Sequence, residues 1–377
     1  MSVDLSTTFT GIRFPNPFLL ASAPPTESES NILRAFDSGW GGVVTKTIGM
    51  HPVINVAGPK TKFNRFDPAT GLFSMKTRST VVHSSWNWEL ISDKPLDDWL
   101  PRIRRIKAAH PDKVLIASIM AGSGSDKELD HWRTMATECQ QAGADGLELN
   151  LSCPHMDRPD MGSNLGRDQA LCSFVTQVVK EVAKVPVWAK LTPATADIVV
   201  EAGAVFRGGA DAVTSSNTFP SLPIIDPNTL EFEIQVDGYV SSGGLGGPAI
   251  LPLSMANMSR MTRAFPDKSF SAIGGVQDFG QALGYLLLGA GTVQVCTAAM
   301  LDKAVGPNVI KRLLEGYAEF LERNQERGWK TLEDFRGLMR DRVVSQSAIR
   351  RPDDSDYQGG YDEAVEGYAT PEVPERA

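Results

Sequence analysis

The chain has 377 residues, of which 42% are apolar and 22% charged, and its formal net charge at neutral pH is −8. This is the composition of a globular protein with a substantial core, and the negative charge argues against a nucleic-acid partner, for which a basic face is expected. No apolar run reaches the roughly 18 residues of a membrane span, and the N-terminus carries no targeting pattern, so the sequence predicts a cytoplasmic protein without membrane contact.

The four cysteines are widely spaced, and no CxxC pair joins any of Cys139, Cys153, Cys172 and Cys296. Zinc ribbons and cysteine-ligated iron–sulfur clusters usually carry such pairs. The sequence therefore predicts no metal site and no iron–sulfur cluster in this chain. Redox chemistry would then require an organic cofactor.

Short β-branched runs recur along the chain and alternate with stretches of helical spacing, a pattern that predicts a parallel sheet. The predicted strands are Phe18–Ser22, Gly42–Lys46, Val114–Ile119, the first part of Asp145–His155, Val185–Lys190, Ala212–Ser216, Ser269–Ile273 and Thr292–Cys296. The predicted helices include Glu29–Asp37, Trp99–His110, Lys127–Ala142, Asp168–Ala183, Thr195–Arg207 and the closing helix Val309–Asn324.

Eight strands in a chain of this length match an α/β fold of the (β/α)8 TIM-barrel type. The alternative is a doubly wound open sheet, in which ligands bind at one switch point. Here polar residues follow most of the strands, which favours the barrel.

Two insertions, at about 47–100 and 218–250, interrupt the regular spacing. Each follows the C-terminal end of a strand, so both are expected on the face where barrel active sites lie. Residues 1–345 are predicted to form the barrel domain. Residues 346–377, which are rich in Asp and Glu, are predicted to be an irregular acidic tail that is flexible or binds a partner.

The fourth strand runs directly into reactive side chains. Within Asp145–His155, Pro154 stops the strand because it has no N–H for the ladder, and the polar groups around it are Asn150, Ser152, Cys153 and His155. A strand that ends in such groups is typical of the catalytic rim of a barrel. The alternative is a buried strand followed by a loop with an incidental thiol.

Glycines at the ends of strands seven and eight indicate a phosphate site. Gly274-Gly275 follow strand seven, Cys296-Thr297 end strand eight, and the cluster Gly243–Gly247 can contribute to the same cradle. Backbone N–H groups in glycine turns approach phosphate oxygens closely, and barrels often bind phosphate at these two loops. Glycines also serve simply to close tight turns.

Lys46 and Lys190 end strands two and five. An ammonium inside a barrel mouth is costly to desolvate without an anion, and the N1–O2 edge of a reduced flavin provides one. A solvated rim charge or a Schiff-base lysine is the alternative for either residue alone. The pair, together with a phosphate cradle, favours flavin mononucleotide (FMN).

Side-chain amides and a carboxylate accompany these groups at Asn87, Glu89, Asn150 and Asn217-Thr218. A carboxamide presents a donor and an acceptor together, which suits a ring that alternates C=O and N–H groups. Asparagines are also common turn formers, so each one alone is weak support for a ligand site.

Several motifs together resemble a known family. They are Asn-Trp-Glu-Leu-Ile-Ser (87–92), Ala-Ser-Ile-Met (117–120), Leu-Glu-Leu-Asn-Leu-Ser-Cys-Pro-His (147–155), Ala-Lys-Leu-Thr-Pro (189–193), Ser-Asn-Thr (216–218) and Gln-Val-Cys (294–296). In matching order over roughly residues 5–300, they resemble the flavin-binding barrel of dihydropyrimidine dehydrogenase, within the dihydroorotate dehydrogenase family.

The resemblance implies a role for each matching residue. It implies FMN contacts at Ala21, Ser22, Lys46, Asn150, Lys190, Gly246, Gly247, Gly274, Gly275, Cys296 and Thr297. It implies pyrimidine contacts at Asn87, Glu89, Asn150, Asn217 and Thr218. Cys153 would be the general acid that gives a proton to C5 of the ring while flavin N5 gives hydride to C6.

The chain also departs from the family pattern. No cysteine follows Cys296, and no nicotinamide-binding domain is recognisable, so electrons from NAD(P)H are expected to arrive through a separate subunit, directly, or through another carrier. A homo-oligomer is also expected. Trp86 and Trp88 flank Asn87, and the loop Met156–Gly166 differs from the family pattern, which leaves the choice among uracil, thymine and related rings open.

Three other functions remain as alternatives. Dihydroorotate oxidation is disfavoured because Asn87-Trp-Glu resembles the dihydropyrimidine motif and no extra cation is placed for a carboxylate substrate. A flavin-binding scaffold without catalysis would have no need of the Cys153 thiol. A phosphate-sugar isomerase or lyase barrel would contain no flavin.

Overall fold

The computed structural model describes residues 3–53, 63–75, 77, 81–153, 158–346 and 349. His155 and most of the predicted acidic tail lie outside these residues. By internal contacts the chain divides into two compact units, Met1–Arg340 and Asp341–Ala377. The described residues of the second unit are exposed to solvent, and all strands and α-helices below belong to the first.

The strands of the described residues are numbered in chain order. They are β1 (Thr7–Phe9), β2 (Ile12–Phe14), β3 (Phe18–Leu20), β4 (Gly42–Val44), β5 (Phe63–Asp67), β6 (Leu72–Ser74), β7 (Ser85–Asn87), β8 (Val114–Ile119), β9 (Gly146–Leu151), β10 (Val187–Leu191), β11 (Ala212–Ser215), β12 (Phe219–Ser221), β13 (Ile225–Asp226), β14 (Glu231–Phe232), β15 (Gly243–Gly246), β16 (Ser269–Ile273) and β17 (Thr292–Val295).

Eight of these strands form a closed parallel barrel in the order β3, β4, β8, β9, β10, β11, β16 and β17, with β17 paired to β3. Each strand thus neighbours the next barrel strand in the sequence. The TIM barrel and all eight predicted strands are confirmed, and the open-sheet alternative is excluded because the ring is closed.

Helices cover the outside of the barrel. They are α1 (Glu29–Asp37), α2 (Leu96–Ala109), α3 (Asp126–Gln141), α4 (Gly162–Leu165), α5 (Gln169–Lys180), α6 (Ile198–Arg207), α7 (Leu251–Ala264), α8 (Phe279–Leu287), α9 (Thr297–Leu301) and α10 (Pro307–Arg323). The six named helix predictions are confirmed within a few residues. Among the described helices, none has the length and apolar character that crossing a membrane requires.

The starts of five helices follow from local sequence. Before α1, α3, α5, α6 and α8, an Asp or Ser side chain accepts a hydrogen bond from a backbone N–H of the first helical turn. Such N-caps satisfy donors that have no partner within the helix. The capping residues are Ser28, Ser125, Asp168, Asp197 and Asp278.

A hairpin of β1 and β2 packs at the N-terminal end of the barrel, and the sequence did not predict it. Trp188 of β10 is fully buried there, its ring centroid lies 5.1 Å from that of Phe9, and its indole N–H donates to Thr10 Oγ1 at 3.0 Å. Phe14 belongs to the same apolar cluster. The hairpin thus fills the end of the barrel opposite the candidate site.

The two predicted insertions meet in a second sheet, here called the cap sheet, with strand order β12, β15, β7, β5 and β6. Strands β5 to β7 come from the first insertion, and β12 and β15 come from the second. Of the glycine cluster Gly243–Gly247, which was predicted to contribute to a phosphate cradle, Gly243–Gly246 form strand β15. Because β15 pairs with β7, the insertions are joined to each other as well as to the barrel.

The same lysine–aspartate arrangement recurs at two places where the chain enters a strand. Asp145, just before β9, accepts from Lys107 Nζ and from the backbone N–H of Leu115, each at 2.8 Å. Asp211, just before β11, accepts from Lys180 Nζ at 2.8 Å and from the first backbone N–H of β10 at 2.7 Å. Each aspartate therefore links a helix to the start of the preceding strand.

Replacing Asp145 with Ala should lower the free energy of unfolding by about 1–3 kcal/mol, because the partly buried N–H of Leu115 loses its acceptor and the Lys107 ammonium loses its ion pair. Urea unfolding measures this change. The control is Asp130→Ala, which removes an exposed ion pair with Arg133 and should cost less than about 0.5 kcal/mol. Equal midpoints for the two variants would contradict the structural role of Asp145.

Candidate functional site

A cavity opens at the C-terminal rim of the barrel, under the cap sheet. About 1060 Å³ of space inside it and in its mouth, which is open to solvent, is not filled by protein atoms. Its wall combines the ends of barrel strands with residues of β7 and β15. The cavity is therefore shared by the barrel and both insertions.

The structure brings nearly all of the predicted site residues to this cavity. Ala21 is the exception, since it is buried beneath the wall with its N–H donating to Val295 O at 3.0 Å. The predicted residues that line the cavity are Ser22, Lys46, Asn87, Glu89, Asn150, Cys153, Lys190, Asn217, Thr218, Gly246, Gly247, Gly274, Gly275, Cys296 and Thr297.

The two predicted lysines are both buried at the cavity wall, but their surroundings differ. Lys46 is 6% exposed, and its ammonium lies 2.9 Å from Glu89 Oε2. Lys190 is 4% exposed, and in the part of the chain that the structure describes its ammonium has no hydrogen-bond or ion-pair partner. A buried and uncompensated cation is costly, so an anion is the ligand that this wall favours.

Cys296 stands beside the same charges. Desolvation raises the pKa of its thiol to about 11, although the positive charges of Lys190 and Lys46 act in the opposite direction. The thiol is therefore protonated at neutral pH, and its Sγ lies 3.7 Å from Met300 Sδ.

The polar end of β9 is held by a network of side-chain hydrogen bonds. Asn150 donates to Thr47 Oγ1 at 2.9 Å and accepts from Ser152 Oγ at 2.8 Å. Asn217 donates to the same Ser152 Oγ at 3.0 Å and to its carbonyl at 3.1 Å. Cys153 follows immediately and is 3% exposed. The network therefore fixes both asparagines and the backbone that leads to the thiol.

Asn87 reaches the cavity from the cap sheet, and its amide is oriented by the neighbouring strand. Its Nδ2 donates to Gly244 O at 3.0 Å. A Cβ on Gly244 would lie 2.1 Å from Thr218 Oγ1, so only glycine permits β15 to approach this closely. The donor end of Asn87 is thus engaged by the backbone, and its carbonyl oxygen remains as an acceptor.

The tryptophans that flank Asn87 form the core of the cap sheet. Trp86 is fully buried with Phe73 and Ile234, and Trp88 packs against this cluster. Among the described residues, neither tryptophan belongs to the cavity wall. This departure from the family pattern is therefore explained by packing in the cap sheet, since strand alternation turns Asn87 to the opposite side.

Glycine turns form a further part of the cavity wall. Gly275 has φ of +77° and Gly247 has φ of +78°, a backbone region that glycine adopts far more readily than other residues. A Cβ on Gly275 would also lie 2.6 Å from Leu251 Cβ. These turns therefore require glycine, and they present backbone to the cavity.

Sequence reasoning missed a fully buried polar network inside the barrel. Glu148 Oε2 accepts from Thr214 Oγ1 at 2.7 Å and from Gln294 Nε2 at 2.9 Å, and Gln294 also lines the cavity. Strand alternation could have revealed both residues, because Glu148 shares a face with Asn150 and Gln294 shares one with Cys296. Thr47, which directly follows Lys46, and Ser216, the last residue of the predicted sixth strand, also line the cavity.

Comparisons with known proteins agree with this geometry. Residues 92–321 match the family model described as dihydroorotate dehydrogenase. A dihydropyrimidine dehydrogenase (NADP(+)) of Arabidopsis thaliana, described as chloroplastic, is 37% identical over 342 residues, which cover 89% of this chain and 76% of that protein.

The NAD-dependent dihydropyrimidine dehydrogenase subunit PreA of Escherichia coli K12 is 36% identical over 358 residues, 93% of this chain and 80% of that protein. The catalytic subunit of a dihydroorotate dehydrogenase B (NAD(+)) from Methanothermobacter thermautotrophicus is 29% identical, covering 89% of this chain and 99% of that subunit.

A crystal structure of ligand-free type dihydroorotate dehydrogenase from Eimeria tenella superposes with a TM-score of 0.69 and 19% identity, covering 90% of this chain and 92% of that one. At that identity the likeness concerns the fold alone. The family match and the two relatives above 30% identity establish that the chain belongs to the dihydroorotate dehydrogenase family, where it resembles the dihydropyrimidine dehydrogenases.

Proposed function

We propose that the protein is an FMN-dependent oxidoreductase that reduces, or reversibly oxidises, the C5–C6 bond of a pyrimidine such as uracil or thymine. Its sequence identity of 36–37% to dihydropyrimidine dehydrogenases supports this class of reaction. The observation that carries the proposal is the meeting, in one cavity, of the Cys153 thiol, the two buried lysines and three asparagine amides.

The cavity fits FMN on two grounds. The buried ammonium of Lys190, unpaired among the described residues, gains an anionic partner when a flavin binds. The glycine turns at Gly247 and Gly275 present backbone that suits phosphate oxygens. Bound FMN supplies hydride exchange with the substrate ring. We assign to the cofactor Ser22, Lys46, Asn150, Lys190, Gly246, Gly247, Gly274, Gly275, Cys296 and Thr297, and we leave out Ala21 because it lies beneath the wall.

The polar groups that remain suit a neutral ring of alternating carbonyl and N–H groups. The Asn87 carbonyl and the Glu89 carboxylate supply acceptors for ring N–H groups. Asn150, Asn217 and Thr218 complete the proposed pyrimidine contacts. Since Ser152 fixes both Asn150 and Asn217, these amides are oriented before a ligand binds, which lowers the entropy cost of binding.

In this proposal, Cys153 moves the proton. Its thiol gives a proton to C5 of the ring during reduction, and the resulting thiolate takes a proton from solvent before the next turnover. Oxidation of a dihydropyrimidine reverses these steps. The backbone carbonyl of Cys153 accepts from Ser163 N at 3.0 Å, so the residue is held from the far side of its loop as well as from β9.

Dihydroorotate remains the second candidate substrate. Its carboxylate would need a cation close to the ring, but the Lys46 ammonium is already paired with Glu89. The Glu89 carboxylate would also repel the carboxylate of dihydroorotate. This charge arrangement favours an uncharged pyrimidine over orotate.

We further propose that electrons from NAD(P)H reach the barrel through a separate subunit, because the E. coli relative is named as a subunit of an NAD-dependent enzyme. A homo-oligomer, a cytoplasmic location and a barrel domain ending near residue 345 belong to the same proposal. The acidic residues 346–377 would then form an arm for a partner protein.

Replacing Cys153 with Ala should lower the turnover of uracil by about 10²–10⁴-fold, the usual contribution of a positioned acid–base group, while the flavin absorption spectrum is unchanged. Turnover with an artificial electron donor measures the effect. Cys172→Ala is the control, because this buried thiol lies on α5. If the Cys153 variant retains wild-type turnover, the thiol is not the proton donor.

Replacing Lys190 with Met should change two properties in opposite directions. The apoprotein should become more stable by about 1–3 kcal/mol, since an uncompensated buried charge is removed. FMN should bind at least about tenfold more weakly, as measured by quenching of flavin fluorescence. Lys184→Met, at an exposed lysine, is the control. Unchanged FMN affinity would contradict the assignment of Lys190 to the cofactor.

A further inference from the structure

The segment beyond Cys153 is held tightly at its far end. Ser163 N donates to Cys153 O at 3.0 Å. A Cβ on Gly166 would lie 1.8 Å from Leu151 O, so the chain returns directly against the end of β9. Residues 158–166, here called the returning segment, include Arg158 and Asp160. They belong to the loop Met156–Gly166, whose sequence differs from the family pattern.

Asp160 attaches the returning segment to the loop that follows β8. Its Oδ2 accepts from the backbone N–H groups of Gly124 at 2.9 Å and Ser123 at 3.2 Å. Its backbone carbonyl also accepts from Ser123 N at 3.1 Å. Two strand-end loops are thus joined through one residue.

Arg158 completes what we call the Asp160 cluster, defined by Arg158, Asp160 and the N–H groups of Ser123 and Gly124. The guanidinium donates to Asp160 Oδ1 at 3.0 Å and Oδ2 at 2.7 Å. It also donates to Glu128 Oε1 at 2.9 Å. A paired guanidinium–carboxylate contact of this kind is both strong and geometrically specific.

The cluster is charged at neutral pH. The hydrogen bonds from Arg158 lower the pKa of the Asp160 carboxyl, against the opposing effect of burial. Glycine makes room for the cluster, because a Cβ on Gly122 would lie 2.5 Å from Asp160 Oδ2 and 2.6 Å from Arg158 Nη2.

We propose that Arg158 and Asp160 are positioning residues for Cys153, which hold its thiol at the cavity by fixing the returning segment to the loop after β8. The inference rests on the proposed role of Cys153 as proton donor. A displacement of about 1 Å at a reacting group can cost about 10²-fold in rate, so an anchor outside the cavity can control turnover without touching the substrate.

Alkylation of the four cysteines of the full-length protein by iodoacetamide, followed by mass spectrometry, tests the anchor without requiring activity. In Asp160→Ala, the alkylation rate of Cys153 should rise about tenfold. The fully buried thiol Cys139 reports global unfolding and should keep its wild-type rate. Cys172 is not used as a reference, because its Sγ donates to Leu165 O in the returning segment. Cys296, on the same cavity, reports a general opening of the cavity and should also be unchanged.

Two further variants separate position from overall stability. Asp160→Asn keeps an oxygen acceptor for the Ser123 and Gly124 N–H groups, so its effect should be clearly smaller than that of Asp160→Ala. Arg158→Ala removes the ion pair but leaves those backbone bonds, and it should also give an intermediate rise. Arg133→Ala, which breaks exposed ion pairs on α3, is the matched control and should behave as wild type.

Turnover provides the second measurement. In Asp160→Ala, kcat for uracil should fall about tenfold while KM stays within about twofold, because the proposed pyrimidine contacts are untouched. If the proposed function is wrong, the wild-type protein will not turn over a pyrimidine. The alkylation experiment does not depend on turnover, so the two failures can be distinguished.

Three outcomes would overturn the inference. One is a wild-type alkylation rate of Cys153 in Asp160→Ala, and another is an equal rise at all four cysteines, which would indicate global destabilisation. If Asp160→Ala does not fold, the alkylation rate of Cys153 is measured in Arg158→Ala instead. A wild-type rate in that variant would show that the cluster does not position the thiol.

Discussion

Closure of the barrel is the constraint on which the remaining structure depends. Eight parallel strands in one ring must each return along the outside, so all eight C-terminal ends meet at a single rim. In this chain, Asn150 on β9 and Lys190 on β10 lie side by side at that rim. Polar residues far apart in the sequence therefore share one cavity, and the two insertions, which leave from the same rim, pair above it in the cap sheet.

The distribution of charge around the cavity then selects the ligands. Lys46 is neutralised by Glu89, and Glu148 Oε2 accepts from the neutral donors Thr214 and Gln294. Lys190 alone among these groups has no partner in the described part of the chain. One anionic cofactor and one uncharged ring match these charges better than two anionic ligands do. This preference agrees with the relatives that are named dihydropyrimidine dehydrogenases.

The sequence predicted the barrel strands and most of the cavity wall because β-branched runs and the polar residues that end them are local signals. It failed where the signal is not local. Strand β15 consists mainly of glycine and forms only because β7 and β12 pair with it, and the strands of the N-terminal hairpin have three residues each. Trp86 looked like a departure at the site, but it is the core of the cap sheet. The backbone partners of Asp160, Ser123 and Gly124, lie more than thirty positions away, so this pairing required coordinates.

The most direct test of the central claim is anaerobic spectroscopy of the purified protein after reconstitution with FMN. The account predicts that the protein binds the flavin and that its visible absorption bleaches on addition of dihydrouracil but not of dihydroorotate. Failure to bind FMN would contradict the cofactor assignment. Bleaching by dihydroorotate alone would contradict the assignment of an uncharged pyrimidine as substrate.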